Sequence, residues 1–338
     1  MMRSGAPVRI GILGAARVAP MALLDPARNH DDVEVVAIGA RDVVRARAFA
    51  EEHRIPRVHT SYDDVLTDPE LNAVYIPLPA THNGRWTLAA LEAGKHVLVE
   101  KPMAANAAEA DVVAEAAAAS GLTVLQGYHY RYHPYFERIR ALLDHGAVGE
   151  PELVQAWFMV RRPADWNIRW RYELGGGTLM DHGSYPVHLA RSLLGREPAV
   201  VSAQAVRQAD ARNDGTMDAV LDFGGVTARV HSSMLGEEFS VGARVRGTDG
   251  TLEIDNYIHP TMGSRLTLSR TDGDGLDEHF PADRPTFAYQ LDAFIAAVTT
   301  GASYPTDSRD GAANLRVIDA AYDQAGLPLR MSQQPPSR

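Results

Sequence analysis

Gly14 follows directly on the apolar run Val8–Leu13 and opens the stretch Gly14-Ala15-Ala16-Arg17-Val18-Ala19. A glycine at the end of a strand permits a tight turn. Small residues after it let backbone amides and a helix N-terminus approach a phosphate. Gly11, Gly14 and Ala16 therefore read as a dinucleotide turn, with Ala16 and Ala19 standing where further glycines or small residues belong. The second apolar run, Val33–Ile38, leads to Gly39-Ala40-Arg41-Asp42. An acid at the end of that strand would take the ribose hydroxyls of NAD, whereas an arginine suits the extra phosphate of NADP. Arg41 favours NADP. With the register slid, Asp42 becomes the acid and NAD fits; Asp42 could equally cap the next helix.

A third place for chemistry is Glu100-Lys101-Pro102, directly after the strand His96–Val99. Open α/β sheets bind ligands at the carboxyl ends of their strands, so Lys101 stands where a substrate would sit. Pro102 restricts Lys101 to extended backbone. Pro77-Leu78-Pro79-Ala80-Thr81-His82 follows another strand at the same end. Further on, Arg161, Arg162, Trp166, Arg169, Trp170 and Arg171 form a basic and aromatic stretch. Such side chains suit sugar faces and hydroxyls, and the arginines could equally hold a phosphate or serve packing.

These residues need a scaffold, and the pattern supplies one. Apolar runs at Val8–Leu13, Val33–Ile38, Leu71–Leu78, His96–Val99 and Thr123–Gln126 alternate with helical stretches at Pro20–Arg28, Arg41–His53, His82–Ala93 and Ala107–Ser120. That alternation predicts βαβ crossovers and a doubly wound parallel sheet of Rossmann type. After about residue 130 the rhythm changes. A helix over Pro134–His145 is followed by strand patterns at Leu153–Val160, Val200–Arg207, Met217–Phe223, Val226–Ser233, Phe239–Gly247, Thr251–Asn256 and Arg265–Ser269. Gly- and Asp-rich turns between them predict a large, predominantly antiparallel sheet in an α+β domain, closed by helices at Phe287–Thr300 and Asp310–Ala325. The expected division is 1–128, 129–331 and a polar tail, 332–338.

Composition narrows the class. The chain has 338 residues, formal net charge −10 and 45% hydrophobic residues. An acidic protein has no general attraction for nucleic acid or anionic lipid. No apolar stretch is long enough for a membrane span, and no export signal stands at the N-terminus, so a cytoplasmic protein is expected. Cysteine is absent, which excludes disulfides, thiolate metal sites and cysteine nucleophiles. His129 and His133, or His53 and His59, lack further ligands at zinc spacing, and Asp272-Gly-Asp274-Gly275 lacks the rest of a calcium loop. No metal is expected.

Gly14–Ala19, the run Leu88–Pro102, Tyr130-Arg-Tyr-His-Pro134 and Gly175-Gly-Gly-Thr-Leu-Met-Asp181-His182-Gly183-Ser-Tyr185 together resemble the glucose–fructose oxidoreductase / inositol dehydrogenase / MocA family. The resemblance covers essentially the whole chain. It implies a Rossmann domain followed by a mostly antiparallel sheet domain, and nicotinamide-dependent hydride transfer on sugars, cyclitols or diols. It also implies a homodimer or homotetramer joined through the second sheet. Tyr185 is similar to the dihydrodiol dehydrogenase branch.

The resemblance makes Lys101 and Tyr185 an acid–base pair with Asp181 nearby. A tyrosine hydroxyl is ordinarily a weak base at neutral pH, and a lysine cation close by favours its ionised form. The implied cofactor contacts are Gly11, Gly14, Ala15, Ala16, Arg17, Val18, Arg41, Pro77, Leu78, Pro79, His82, Glu100 and Lys101. Arg162, Trp166, Arg169 and His182 are the candidate substrate contacts. Ala16, His182 and Ser184 depart from the residues usual in the family. The expectation is an enzyme that uses NADP, with NAD possible, on a carbinol or carbonyl carbon of a sugar, sugar derivative or cyclic polyol. The alternatives are a glycosidase-type enzyme that retains NAD for transient oxidation, and a non-catalytic NADP sensor.

Overall fold

The computed structural model describes residues 6–208, 210–280 and 284–332; the expected tail beyond Ser332 lies outside them. The chain divides into two compact units. The first holds residues 6–129 together with Phe287–Ala312, and the second Tyr130–Thr286 with 313–332.

The first unit is built on β1 (Val8–Leu13), β2 (Val33–Gly39), β3 (Arg57–His59), β4 (Ala73–Ile76), β5 (His96–Val99) and β6 (Val124–Gln126). Their order is β3-β2-β1-β4-β5-β6, and every pairing is parallel. The chain runs outward from β1 in both directions, so a crevice opens at the carboxyl ends of β1 and β4, where such sheets hold nucleotides. The strands are apolar on both faces because helices cover both: every residue of β4 is fully buried. Helix Ala80–Glu92 begins two residues earlier than its pattern suggests, with Pro79 at its N-cap. The expected helix at Pro20–Arg28 is a wide π-turn, Pro20–Leu24, followed by Asp25–Ala27.

The sequence division places Phe287–Thr300 in the second domain, but this helix and the segment after it join the first unit. Three hydrogen bonds show why. Gln126 N–H donates to the Thr306 carbonyl (2.9 Å), the Thr306 hydroxyl donates to the Gln126 carbonyl (2.8 Å), and Val124 N–H donates to the Tyr304 hydroxyl (3.1 Å). The segment thus covers the open edge of β6, which would otherwise expose unpaired backbone.

The second unit contains an eight-stranded sheet of β7 (Pro151–Arg161), β8 (Ala199–Arg207), β9 (Asp214–Asp222), β10 (Thr227–Gly236), β11 (Ser240–Gly247), β12 (Gly250–Asp255), β13 (Ser264–Arg270) and β14 (Gly275–Phe280). The order is β14-β13-β12-β11-β7-β10-β9-β8. All neighbours are antiparallel except β7 and β10, the parallel pair at the centre. Burial alternates along β7, β9 and β12, so one face of the sheet packs inward. The helix Ser184–Leu194 lies almost wholly buried and packs against β7 and β10.

Candidate active site and cofactor turn

In the first unit the turn after β1 is built as its sequence predicts. Gly14 has φ +108°, a conformation that disfavours any side chain, and its N–H donates to the Gly39 carbonyl at 2.7 Å. This joins the ends of β1 and β2. A Cβ on Gly14 would meet Leu78 at 3.0 Å and the Tyr62 hydroxyl at 3.4 Å, so the Pro77–Pro79 loop borders the turn. Arg17 is exposed and Val18 half-buried beside it. Gly11 has a different part: a Cβ there would come 2.6 Å from both Val65 and Leu71, so it lets the helix Tyr62–Leu66 pack on β1.

At the end of β2 Asp42 acts as a helix cap. Its carboxylate caps the helix Val43–His53, accepting from Val44 N–H at 2.9 Å and Arg45 N–H at 3.1 Å. Arg41 is exposed next to it. Burial pushes the His82 imidazole below its ordinary pKa, and Arg41 and Arg85 lower it further. Burial raises the Tyr62 phenol, opposed by Arg41 and Arg45. Arg41 and Arg85 thus lie within charge range of His82, and Arg41 and Arg45 within that of Tyr62, an arginine rim around these two rings. Arg45 donates to the Ala15 carbonyl at 2.7 Å, and Arg85 lies 4.8 Å over the Trp86 ring. Sequence reading found Arg41 and His82 but missed Arg45 and Arg85. For Arg85 the helical spacing, three residues after His82, is the signal that places the pair on one face.

Lys101 is half-buried at the end of β5, between two pinned neighbours. The Asn83 amide donates to the Glu100 carbonyl at 3.1 Å and to the Pro102 carbonyl at 2.8 Å. The Glu100 carboxylate turns into the core and accepts from the Tyr75 hydroxyl at 2.8 Å. Met103 N–H donates to the Gln126 side chain at 3.1 Å. Asn83 was not singled out in the sequence, although it directly follows His82.

In the second unit the triglycine leads into a π-turn, Leu179–Gly183, and then the helix that carries Tyr185. Asp181, Arg169 and His182 come together. Arg169 Nε donates to Asp181 Oδ2, which also lies 3.6 Å from His182 Nδ1. The buried Tyr185 ring packs against Phe158 (5.7 Å between centroids) and Tyr130 (6.2 Å). His182 packs edge-on against the same Phe158 at 4.8 Å. Tyr130 and His188 form a buried pair, hydroxyl to Nδ1, at 2.6 Å. Arg162 pairs with Asp165 at 2.7 Å, and Trp166 is 72% exposed. Among the described residues, no group of three or more His, Asp or Glu could hold a metal ion, and no helix is long and apolar enough to cross a membrane.

Residues 8–128 match the oxidoreductase family with an NAD-binding Rossmann fold, and residues 136–253 match the GFO/IDH/MocA C-terminal domain. The chain belongs to the GFO/IDH/MocA oxidoreductase family. The Gly14 turn and the arginine rim fit that family's nicotinamide dinucleotide, and the chain is an NAD(P)-dependent oxidoreductase.

Among relatives within the family, the chain is 38% identical over 322 residues to D-xylose 1-dehydrogenase (NADP(+)) 2 of Haloferax volcanii, spanning 93% of this chain and 96% of that protein. It is 35% identical to a dTDP-3,4-didehydro-2,6-dideoxy-alpha-D-glucose 3-reductase of Streptomyces violaceoruber, over 95% of this chain and 96% of that one. The fold is similar, with a TM-score of 0.87 and 29% identity, to a 3-ketoreductase from Actinomadura kijaniata in complex with NADP and TDP-benzene, covering 94% of this chain and 98% of that one. Solved structures of that reductase include variants with a lysine replaced by alanine or glutamate and a tyrosine replaced by phenylalanine.

Proposed function

We propose that the chain is an NADP-preferring dehydrogenase or reductase of a sugar or sugar derivative, with Lys101 and Tyr185 handling the proton. The arginine rim at the end of β2 carries the cofactor reading: Asp42 caps its helix through Oδ1, and Arg41 stands exposed at the strand end, with Arg45 and Arg85 in charge range of the same Tyr62 and His82 rings. The substrate class follows from the relatives, which are named for D-xylose and for a dTDP-linked keto-sugar.

When bound, the nicotinamide gives or takes a hydride at the substrate carbon. The chain's own residues manage the oxygen on that carbon. The Tyr185 hydroxyl gives or takes its proton. Lys101 Nζ is a hydrogen-bond donor that would stabilise negative charge on a substrate oxygen. Asp181 orients Arg169 and His182 toward the remaining hydroxyls. In support, the lysine and tyrosine replaced in the A. kijaniata reductase carry numbers one higher than Lys101 and Tyr185. Gly14, Ala15, Ala16, Arg17 and Val18 hold the pyrophosphate, and Pro77, Leu78, Pro79, His82 and the Glu100 backbone border the cofactor. Arg162 and Trp166 contact the far end of the substrate.

Fluorescence titration with NADPH and NADH, then a panel of aldoses and ketoses including D-xylose read at 340 nm, tests this. Tighter NADPH binding with turnover of a sugar supports it. Preference for NADH, or no turnover across the panel, would overturn it. Lys101→Met and Tyr185→Phe should each lower kcat by about 10²- to 10⁴-fold, and Tyr185→Phe should leave NADPH affinity within roughly threefold.

The chain forms a homodimer or homotetramer in the cytoplasm, joined through the sheet of the second unit. Support comes from Val201 and Val206 on its edge strand, 59% and 55% exposed. A shallow groove on the face is lined by Trp157, Gln204, Arg229 and His231. Light scattering on the purified protein tests the assembly, and a monomer at micromolar concentration would overturn it.

A further inference from the structure

The most heavily buried charges of the second unit lie behind the segment that carries Asp181 and Tyr185. Arg330 and Asp214 are both 0% exposed and 3.0 Å apart. Arg330 donates twice to the Gly176 carbonyl, from Nε at 2.9 Å and Nη2 at 2.7 Å. Asp214 accepts from Leu179 N–H at 2.7 Å. The Tyr322 hydroxyl donates to Asp214 at 3.0 Å and accepts from Met180 N–H at 3.2 Å. Gly177 lies between these groups with φ +111°, and a Cβ there would come 2.1 Å from Asp214 Oδ1 and 2.4 Å from Arg330 Nη2. Only glycine lets both charges reach the turn. The Arg330 guanidinium also lies 4.0 Å from the Tyr322 ring centroid and 5.2 Å from that of Tyr172.

The same backbone is held further along. Asn314 donates to the Ser184 carbonyl at 3.2 Å and accepts from Arg191 at 3.3 Å, and the Ser184 hydroxyl donates to the Asp181 carbonyl at 3.1 Å. A buried ion pair contributes little net stability compared with an apolar filling of the same space. What it does supply is a fixed set of hydrogen-bond directions. Here four of those bonds end on backbone groups of Gly176, Leu179 and Met180, at the entry to a π-turn, a geometry that recurs at functional sites, while Arg330 is itself held by the Pro328 carbonyl and the Asn213 side chain.

We propose that Arg330, Asp214 and Tyr322 are positioning residues for the reaction: they set the π-turn Leu179–Gly183 and through it the placement of Asp181 and Tyr185. This rests on the assignment of proton transfer to Tyr185. None of the three touches the reacting atoms; each acts through the backbone it holds.

Tyr322→Phe is the cleanest perturbation, because it keeps the ring against Arg330 and removes only the hydroxyl shared by Asp214 and Met180. Hydrogen exchange followed by mass spectrometry should show peptides covering 176–185 exchanging about tenfold faster, with β11–β13 unchanged. With NADP and the fastest sugar of the panel, D-xylose tried first, kcat per bound cofactor should fall about 10- to 100-fold, with the KM for NADP unchanged. In a Tyr185→Phe background the same change should cost less than about twofold more, since both act on one step. Arg330→Lys, which keeps the charge and loses the fork, should repeat the pattern.

Uniformly faster exchange, an unaltered kcat per bound cofactor, or losses that multiply in the double variant would each overturn the proposal and leave the network a purely structural one. An unimpaired Tyr185→Phe enzyme would instead overturn the assignment of Tyr185. The exchange result needs no substrate, so it judges the network separately.

Discussion

Replacing Arg41 by alanine isolates the group that separates the two nicotinamide cofactors. A guanidinium about 4 Å from a phosphate gains roughly 1 kcal/mol per charge pair in water and about 4 kcal/mol near a protein surface. Arg41 is exposed, so the low end applies, and a charge-assisted hydrogen bond of about 1.5–3 kcal/mol brackets the same range. Taking about 2 kcal/mol, Arg41→Ala should weaken NADPH binding about 30-fold. NADH has no phosphate at that point and should lose less than about threefold in affinity by the same account. The remaining Arg45 and Arg85 limit the loss, so Arg41→Ala with Arg85→Ala should cost more than either change alone but less than their product. Fluorescence titration of both cofactors provides the readout. Salt supplies a second axis: the preference for NADPH should shrink between 0.1 and 1 M, as the screening length falls from about 10 to 3 Å, and shrink less in the variant. Equal losses for NADPH and NADH would refute the arginine rim as the phosphate site.

Three further outcomes are expected. Asn83→Ala leaves two buried carbonyls around Lys101 without their donor, so it should destabilise the protein by about 2–4 kcal/mol and lower kcat, measured by denaturant unfolding and initial rates; unchanged stability would show that the clamp is dispensable. Gly14→Val forces a β-branched residue into a left-handed conformation and should abolish binding of NADPH and NADH alike, whereas retained binding of either would contradict the turn assignment. Burial depresses His82, His96, His133 and His259, so the unfolded chain binds protons at these sites more readily than the folded one. Their contribution to stability is then present above the ordinary histidine value of about 6.5 and is lost as pH falls through it; Tm should decline between pH 7.5 and 5.5, and a flat profile there would count against it.

The sequence makes the main architecture readable because the parallel strands are short apolar runs stopped by glycine or proline. Strand β3 (Arg57–His59) escapes notice because a single valine between two polar residues is too short to carry an apolar signal. Strand β14, Gly-Leu-Asp-Glu-His-Phe, escapes because it is a half-exposed edge, and its Asp- and Gly-rich approach reads as a hairpin tip. At the site, Gly14, Arg41 and Lys101 are legible because each sits at the end of a strand. Asn83 is not, since the carbonyls it binds come from another element. Arg330 is the hardest: a charged residue a few positions from a polar chain end looks solvated, yet tertiary structure buries it completely. Asp42 is ambiguous in the sequence because one carboxylate could serve a ribose or a helix; its capping bonds appear only in the backbone geometry.

The hydrogen bonds between Gln126 and Thr306 join residues 180 positions apart, and this bears on how the protein is made. Strand β6 leaves the ribosome long before the segment that seals its edge. At synthesis rates of about 5–20 residues per second, that edge stays open for roughly 10–40 s. A polypeptide cut after residue 128 would keep it open permanently, with three parallel-sheet backbone groups facing solvent. The nucleotide-binding half is therefore not a cassette that can be lifted out or grafted elsewhere by itself; a transplant would have to carry Phe287–Ala312 with it.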